Sequence, residues 1–211
     1  FIAFLDSDDL WAPSKLEKQM RAMGENPDAG FSLTGGYSFK KLNEPLEFSY
    51  KQRDGIFFGD ILPRLFRSEI TISTPTLLFK KDCIDIGIRF NEKKPFADAE
   101  FIVNLATHFK AVVLYEPLFF RRIHSQNHNV QNWEAGFAQM KDIIDKVKRD
   151  KTVSPDIVSQ AIFRFYINYG EEHLKIHERT RAIGKFLKAW RYQPFSIVPI
   201  KKILKALLKY P

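Results

Sequence analysis

One cysteine, Cys83, is all the thiol chemistry the sequence offers, so an intrachain disulfide is excluded. No apolar run approaches the ~18 residues that span a bilayer, and the opening residues do not read as a charged-then-apolar leader. Low-complexity linkers and internal repeats are also lacking. Together these absences predict a cytoplasmic setting. Acids are scarce at one end only. From His173 to Pro211 there are ten Lys or Arg against one acid, Glu178, so this tail carries about +9 of the chain's net +8 and the remainder is close to neutral. That distribution argues against a nucleic-acid reader, which spreads basic residues with interleaved aromatics over a folded face.

What is present suffices for a core. With 20 Phe, 7 Tyr and 3 Trp among 211 residues, and 45% hydrophobic overall, the composition predicts one full domain and a smaller helical annex rather than disorder. The run Phe1-Ile2-Ala3-Phe4-Leu5 reads as a strand buried on both faces of a parallel sheet. Parallel neighbours need long crossovers, so the expectation is a fragment whose earlier strands precede residue 1.

Further along, a helix is expected from about Pro13 with Leu16, Met20 and Met23 on one face. Strands are expected at 31–34, 37–41, 46–50, 76–80, 112–115 and 118–121, with breaks at Gly35-Gly36, Asn43-Glu44-Pro45 and Glu116-Pro117. Residues 57–66 and 97–107 read as helices, the latter with Phe101, Leu105 and His108 on one side. Beyond about Gln126 the period is purely helical, with breaks at Ser154-Pro155, Gly184 and Gln193-Pro194.

The chemistry concentrates in Asp6-Ser7-Asp8-Asp9. Residues two apart share one side of a strand, so Asp6 and Asp8 present two carboxylates where the first strand ends. Open α/β sheets bind ligands at that end of their strands, and one or two carboxylates plus phosphate oxygens hold Mg²⁺ or Mn²⁺ on nucleotide substrates. Taken alone, the cluster also reads as a solvated turn capping the next helix.

The stretch FIAFLDSDDLWAPSKLEKQ, residues 1–19, resembles the D-x-D region of family 2 glycosyltransferases, including Trp11, Pro13 and the K-L-x-x-Q helix opening. The segments Gly87 to Glu92 and Pro95 to Phe101 resemble that family's G-x-F-D-E loop and E-D-x-D/E helix start, with Ala97 in place of the usual Glu. Glu116-Pro117-Leu118 and Arg122-Ile123-His124 resemble its E-P-L strand and R-x-H segment. The resemblance covers residues 1–128.

It implies a partial glycosyltransferase A-type α/β fold with a mostly parallel sheet, followed by a helical tail over 129–211. It also implies an inverting, metal-dependent transfer of a sugar from a nucleoside-diphosphate donor to a hydroxyl of a glycan or lipid-linked acceptor. Asp8 and Asp6 would hold Mn²⁺ or Mg²⁺ and the nucleotide, Asp9 would only cap, and Asp98 would be the base. Arg122 would neutralise phosphate, His124 would ligate the metal or line the donor pocket, and Glu100 and Trp11 would face the acceptor side.

On residues alone, Asp98 equally reads as a helix-start acid favoured by the macrodipole, Arg121 to His124 as a basic loop, and Trp11 as core. His124 and His128 do not read as a zinc site, lying four apart in a polar stretch without cysteine. Two other classes stay open: a haloacid-dehalogenase-type phosphatase built on Asp6 and Asp8, and a non-catalytic nucleotide- and metal-binding module.

The chain alone is expected to fold without catalysing and to self-associate at its open sheet edge. Ile200, Ile203, Leu204, Leu207 and Leu208 form an apolar stripe flanked by Lys201, Lys202, Lys205 and Lys209. This reads either as a core helix with a solvated lysine face or as a peripheral helix on the anionic inner face of the cell membrane.

Overall fold

The computed structural model describes residues 1–41, 47–48, 54–70, 72–94, 96–124 and 132–208. It divides into two compact units, Phe1–Trp133 and Glu134–Pro211. The first unit is α/β, and its sheet is built on two long strands. These are β3 (Ala29–Phe39) and β7 (Lys110–Arg122), which run parallel. Around them lie β1 (Ile2–Ala3), β2 (Leu10–Trp11), β4 (Glu47–Phe48), β5 (Ile56–Gly59) and β6 (Leu78–Phe79). The order is β1-β6-β3-β7-β2, with β4 added to β3 and β5 to β7.

The sheet is therefore mixed, not mostly parallel as expected: among the described pairings only β3–β7 is parallel. A short apolar run carries no information about the direction of its partner, and most of the flanking strands are two residues long. The opening run shows the same limit. Only Ile2–Ala3 is strand, half-buried and antiparallel to β6, while Phe1 and Leu5 are exposed.

Both long strands pass through residues expected to break them. In β7 the Glu116-Pro117 pair is absorbed by a register shift in which Thr34 faces Leu114 but Gly35 faces Pro117. Proline has no N–H to donate, and a bulge is where a sheet tolerates it. The bulged backbone crowds β3: a Cβ on Gly35 would lie 2.6 Å from the Tyr115 carbonyl oxygen. Glycine at 35 thus serves close approach rather than a chain break.

Residues 57–66 are not one helix but β5 followed by α2 (Leu62–Phe66). The expected strand at 76–80 is a 3₁₀ turn, Thr74–Thr76, leading into β6. The break at Asn43-Glu44-Pro45 and the strand ends Leu46, Ser49 and Tyr50 lie outside the described residues, as do Pro95, His128 and Lys209.

Helix α1 (Lys15–Glu25) buries Lys15, Gln19, Ala22 and Met23, whereas Leu16 and Met20 are exposed. Ala22 and Met23 pack on Ala29, Val112, Leu114 and Leu118. The inward face is polar at its start because its partners are polar. Lys15 Nζ donates to Gln19 Oε1 at 2.7 Å, and Gln19 Nε2 donates to Ser32 Oγ at 2.9 Å and to the Thr76 carbonyl at 3.0 Å. Each buried polar group needs such a partner to avoid its desolvation cost.

Helix α3 (Ala97–His108) buries Phe101, Ile102 and Leu105, while His108 is exposed and bonds the Asn104 carbonyl through Nδ1. Phe101 stacks on Phe90 at 4.0 Å and meets Phe79 edge-on at 5.4 Å, and Phe4 meets Phe90 at 5.4 Å. Each such pair contributes about 0.5–1.5 kcal/mol beyond burial. Cys83 is buried with Sγ 3.2 Å from the Gly30 carbonyl oxygen, and burial raises its pKa.

The second unit is helical: α4 (Trp133–Asp150, which begins at the unit boundary), α5 (Pro155–Lys175), α6 (Arg179–Tyr192) and α7 (Val198–Leu208). Ser154 caps α5 by accepting from Ile157 N at 3.5 Å, with Pro155 in the first turn. Gly184 lies inside α6, and the break falls instead at 176–178. Phe186 is fully buried and rests on Gly170, which lets α5 and α6 approach closely.

Candidate functional site

The acidic cluster is a turn, not a strand end: Asp9 N bonds the Asp6 carbonyl at 3.2 Å, and the chain then enters β2. β2 pairs antiparallel with the end of β7, Leu10 opposite Phe120. That pairing brings Asp8 and Asp9 to the Arg121–His124 segment. Arg122 N donates to Asp9 Oδ1 at 2.9 Å, and Arg122 Nε donates to the Asp8 carbonyl at 3.0 Å. His124 Nε2 lies 2.8 Å from Asp8 Oδ2. The Arg122 guanidinium also covers the Phe39 ring at 4.9 Å.

Asp98 reaches the same place from α3. Phe4, two residues before Asp6, and Phe101, three after Asp98, share the Phe79 and Phe90 rings, so one aromatic cluster sets both acids. Burial raises the Asp6 pKa, and the charges of Asp8 and Asp98 raise it further against the opposing charge of Arg121. Burial likewise raises Asp98, opposed by bonds from Ala99 N at 2.8 Å and from the Thr74 side chain and by Arg121. Asp9 is buried and pushed up to about 6, mainly by desolvation. Asp8 behaves oppositely, because the His124 bond holds it below the usual carboxylate range.

Asp9 therefore does not cap the helix; it clamps the end of β7. Asp6, Asp8, Asp98, Arg122 and His124 are brought together. Glu100 is half-buried and takes a bond from Asn91 Nδ2 at 3.4 Å, with no described interaction joining it to those acids. Trp11 is half-buried: its Nε1 donates to the Pro75 carbonyl at 2.9 Å, and Lys15 Nζ lies 4.1 Å from its ring centre.

Sequence reasoning assigned no role to Arg121, Thr74, Lys15 or Gln19. Trp11 and Gln19 grip the Thr74–Thr76 turn from two sides, and Thr74 bonds Asp98. Two residues of the Trp-to-Gln motif are thus bonded to the turn that carries Thr74. The bonds that tie the Thr74-Pro75-Thr76 turn to Trp11 and Gln19 join residues 64 and 57 positions apart.

Among the described residues, no set of three or more His, Cys, Asp or Glu side chains converges as a metal centre. A hard cation held by one or two carboxylates and substrate phosphates needs no such set. Asp6 and Asp8 are oxygen donors of that type, and the charges of Asp8 and Asp98 add to burial in raising the Asp6 pKa.

The first unit is thus an α/β domain carrying an acidic site flanked by arginines. No protein-family model matches the sequence. Similar curated proteins include an "uncharacterized glycosyltransferase" of Rickettsia felis, 35% identical over 97 residues, which is 44% of this chain and 15% of that protein. Proteins so described from Rickettsia conorii and Rickettsia bellii are 35% and 34% identical over the same length, covering 15% and 13% of themselves. The chain spans about 15% of the length of the curated relatives it matches.

Proposed function

We propose that this chain is part of a glycosyltransferase of the family 2 type that moves a sugar from a nucleoside diphosphate to a hydroxyl of a glycan or lipid-linked acceptor, with inversion. The observation that carries this reading is the meeting of the D-x-D turn with the Arg122–His124 segment, where His124 Nε2 lies 2.8 Å from Asp8 Oδ2 and Arg122 Nε donates to the Asp8 carbonyl at 3.0 Å. The charge of Asp98, the expected base, adds to burial in raising the pKa of Asp6 in the same turn. The relatives' descriptions support the transferase class.

In this reading Asp6 and Asp8 hold Mn²⁺ or Mg²⁺, which when bound supplies Lewis-acid stabilisation of the departing diphosphate. Arg121 and Arg122 add positive charge beside it. Asp98 accepts the proton of the acceptor hydroxyl as its oxygen bonds to the anomeric carbon and the bond from that carbon to the diphosphate breaks. A carboxylate whose pKa is raised by burial is the stronger base. His124 orients Asp8 and lines the donor side, with Glu100 and Trp11 toward the acceptor.

The test is thermal stabilisation of the native-length protein by a panel of nucleoside diphosphates, with and without Mn²⁺. Mn²⁺-dependent stabilisation by one base class, with sugar transfer from the matching donor, is the expected result. Hydrolysis of simple phosphate esters without any sugar acceptor would overturn it, as would Mn²⁺-dependent nucleotide binding without turnover at native length.

A further inference from the structure

Apart from Ile203, the apolar stripe of the last helix is not used as a core face. Helix α7 packs through Pro199 and Ala206, with Ile203 partly buried against Phe186 and its neighbours. Leu204, Leu207 and Leu208 are 49%, 60% and 79% exposed, and Ile200 is exposed with them. These four residues recur at helical spacing on one side. The preceding turn is apolar and exposed too: Phe195 is 98% exposed, and Ile197 and Trp190 are exposed as well. A Phe left wholly in water at a turn is costly, by roughly 1.5–3 kcal/mol against burial.

The charge around this surface has one sign. From Arg179 onward the sequence contains no Asp or Glu. Lys188, Arg191, Lys201 and Lys205 are exposed. The acids of the unit that pair with this region, Glu171 and Glu178, lie on or just after α5 and are engaged by Lys202 and by Arg181 and His173. Among the described residues no helix is long and apolar enough to cross a membrane.

We propose that the surface formed by the α6–α7 turn and α7 lies on an anionic lipid bilayer. Phe195, Leu204, Leu207 and Leu208 enter the headgroup boundary, and Lys201 and Lys205 meet lipid phosphate. A large apolar face beside a cationic one is what an interfacial helix requires, and charge complementarity selects an anionic surface over a neutral one. Trp190, whose Nε1 donates to the Pro194 carbonyl at 2.6 Å, is the amphipathic ring suited to the edge of that layer. The proposal is independent of the transferase reading, because binding is read without donor or acceptor.

The test is sedimentation of the native-length protein with vesicles of mixed phosphatidylglycerol and phosphatidylcholine, and with phosphatidylcholine alone, at low ionic strength and in molar salt. Binding to the anionic vesicles that salt reverses is expected. Lys201→Gln with Lys205→Gln should weaken it about fivefold per lysine. Leu204→Glu with Leu207→Glu should weaken it by about tenfold or more, as should Phe195→Ser. These side chains face solvent, so circular dichroism of the variants should match the parent. Failure to bind anionic vesicles would overturn the proposal, as would binding unchanged in all three variants. Self-association abolished by Leu204→Glu, without vesicle binding, would assign the surface to a second copy instead.

Discussion

His124 Nε2 lies 2.8 Å from Oδ2 of Asp8, a residue 116 positions earlier in the chain. The bond exists because β2 pairs with the end of β7, and it holds the Asp8 carboxylate below its usual range. That bond favours the charged form of the carboxylate, which suits a cation ligand.

Asp8→Asn is expected to abolish the Mn²⁺-dependent component of nucleotide binding, since the amide carries no charge. His124→Ala should weaken that component by about 10–100-fold, because it removes the group that orients Asp8. Isothermal titration of native-length variants with nucleoside diphosphate and Mn²⁺ measures both. Binding by Asp8→Asn equal to wild type would remove Asp8 from the site.

Asp98→Asn is expected to lower turnover by about two orders of magnitude or more while leaving donor binding intact. Thr74→Val removes a bond that opposes the rise of the Asp98 pKa. It should therefore shift the acid limb of the kcat profile upward in pH. Steady-state kinetics across pH, on native-length enzyme, separates the two effects.

Lys15 is fully buried, and desolvation pulls its pKa from 10.5 down to about 7. Between those values the unfolded chain binds a proton that the folded one does not, so this group makes stability rise with pH from about 7 to about 10. The slope is at most about 1.4 kcal/mol per pH unit. Below pH 7 both states are protonated and the full desolvation penalty is present. Lys15→Met should remove this rising limb, as read from urea midpoints across pH; an unchanged limb would show that Lys15 is not its source.

Gly35→Ala should destabilise the first unit by about 1–3 kcal/mol, because the new Cβ meets the Tyr115 and Glu116 carbonyls rather than a flexible side chain. Gly24→Ala is the control: beyond its chain neighbours and the adjacent backbone of its own helix, nothing lies within 4 Å of the added Cβ, and it sits in α1, where alanine is the better helix former. Chemical denaturation of the two variants should therefore give shifts of opposite sign.

Much of the architecture was legible residue by residue. Apolar periods marked α3 and the helical second unit. Ser154-Pro155 marked a helix start through capping and ring geometry. Asp6 and Asp8 stood out as paired carboxylates after an apolar run, whereas Asp98, Arg122 and His124 were singled out only by the resemblance of their segments to a known family; on residues alone they read equally as a helix-start acid and a basic loop. Local sequence misjudged Gly35-Gly36 and Glu116-Pro117, which read as breaks when each is seen alone. In the sheet each strand accommodates the other's irregularity, and both strands continue.

What the sequence determined by itself is therefore the inventory: which segments are amphipathic, where charge gathers, and which side chains can do acid-base or cation chemistry. Tertiary structure decided the company those residues keep. Only folding put Thr74 on Asp98, turned Asp9 from a cap into a clamp on Arg122 N, and buried Lys15 and Gln19 in place of Leu16 and Met20. The physical reason is that a side chain's pKa and burial depend on what other segments bring within a few ångströms. Such contacts cross scores of residues and leave no trace in local composition or period.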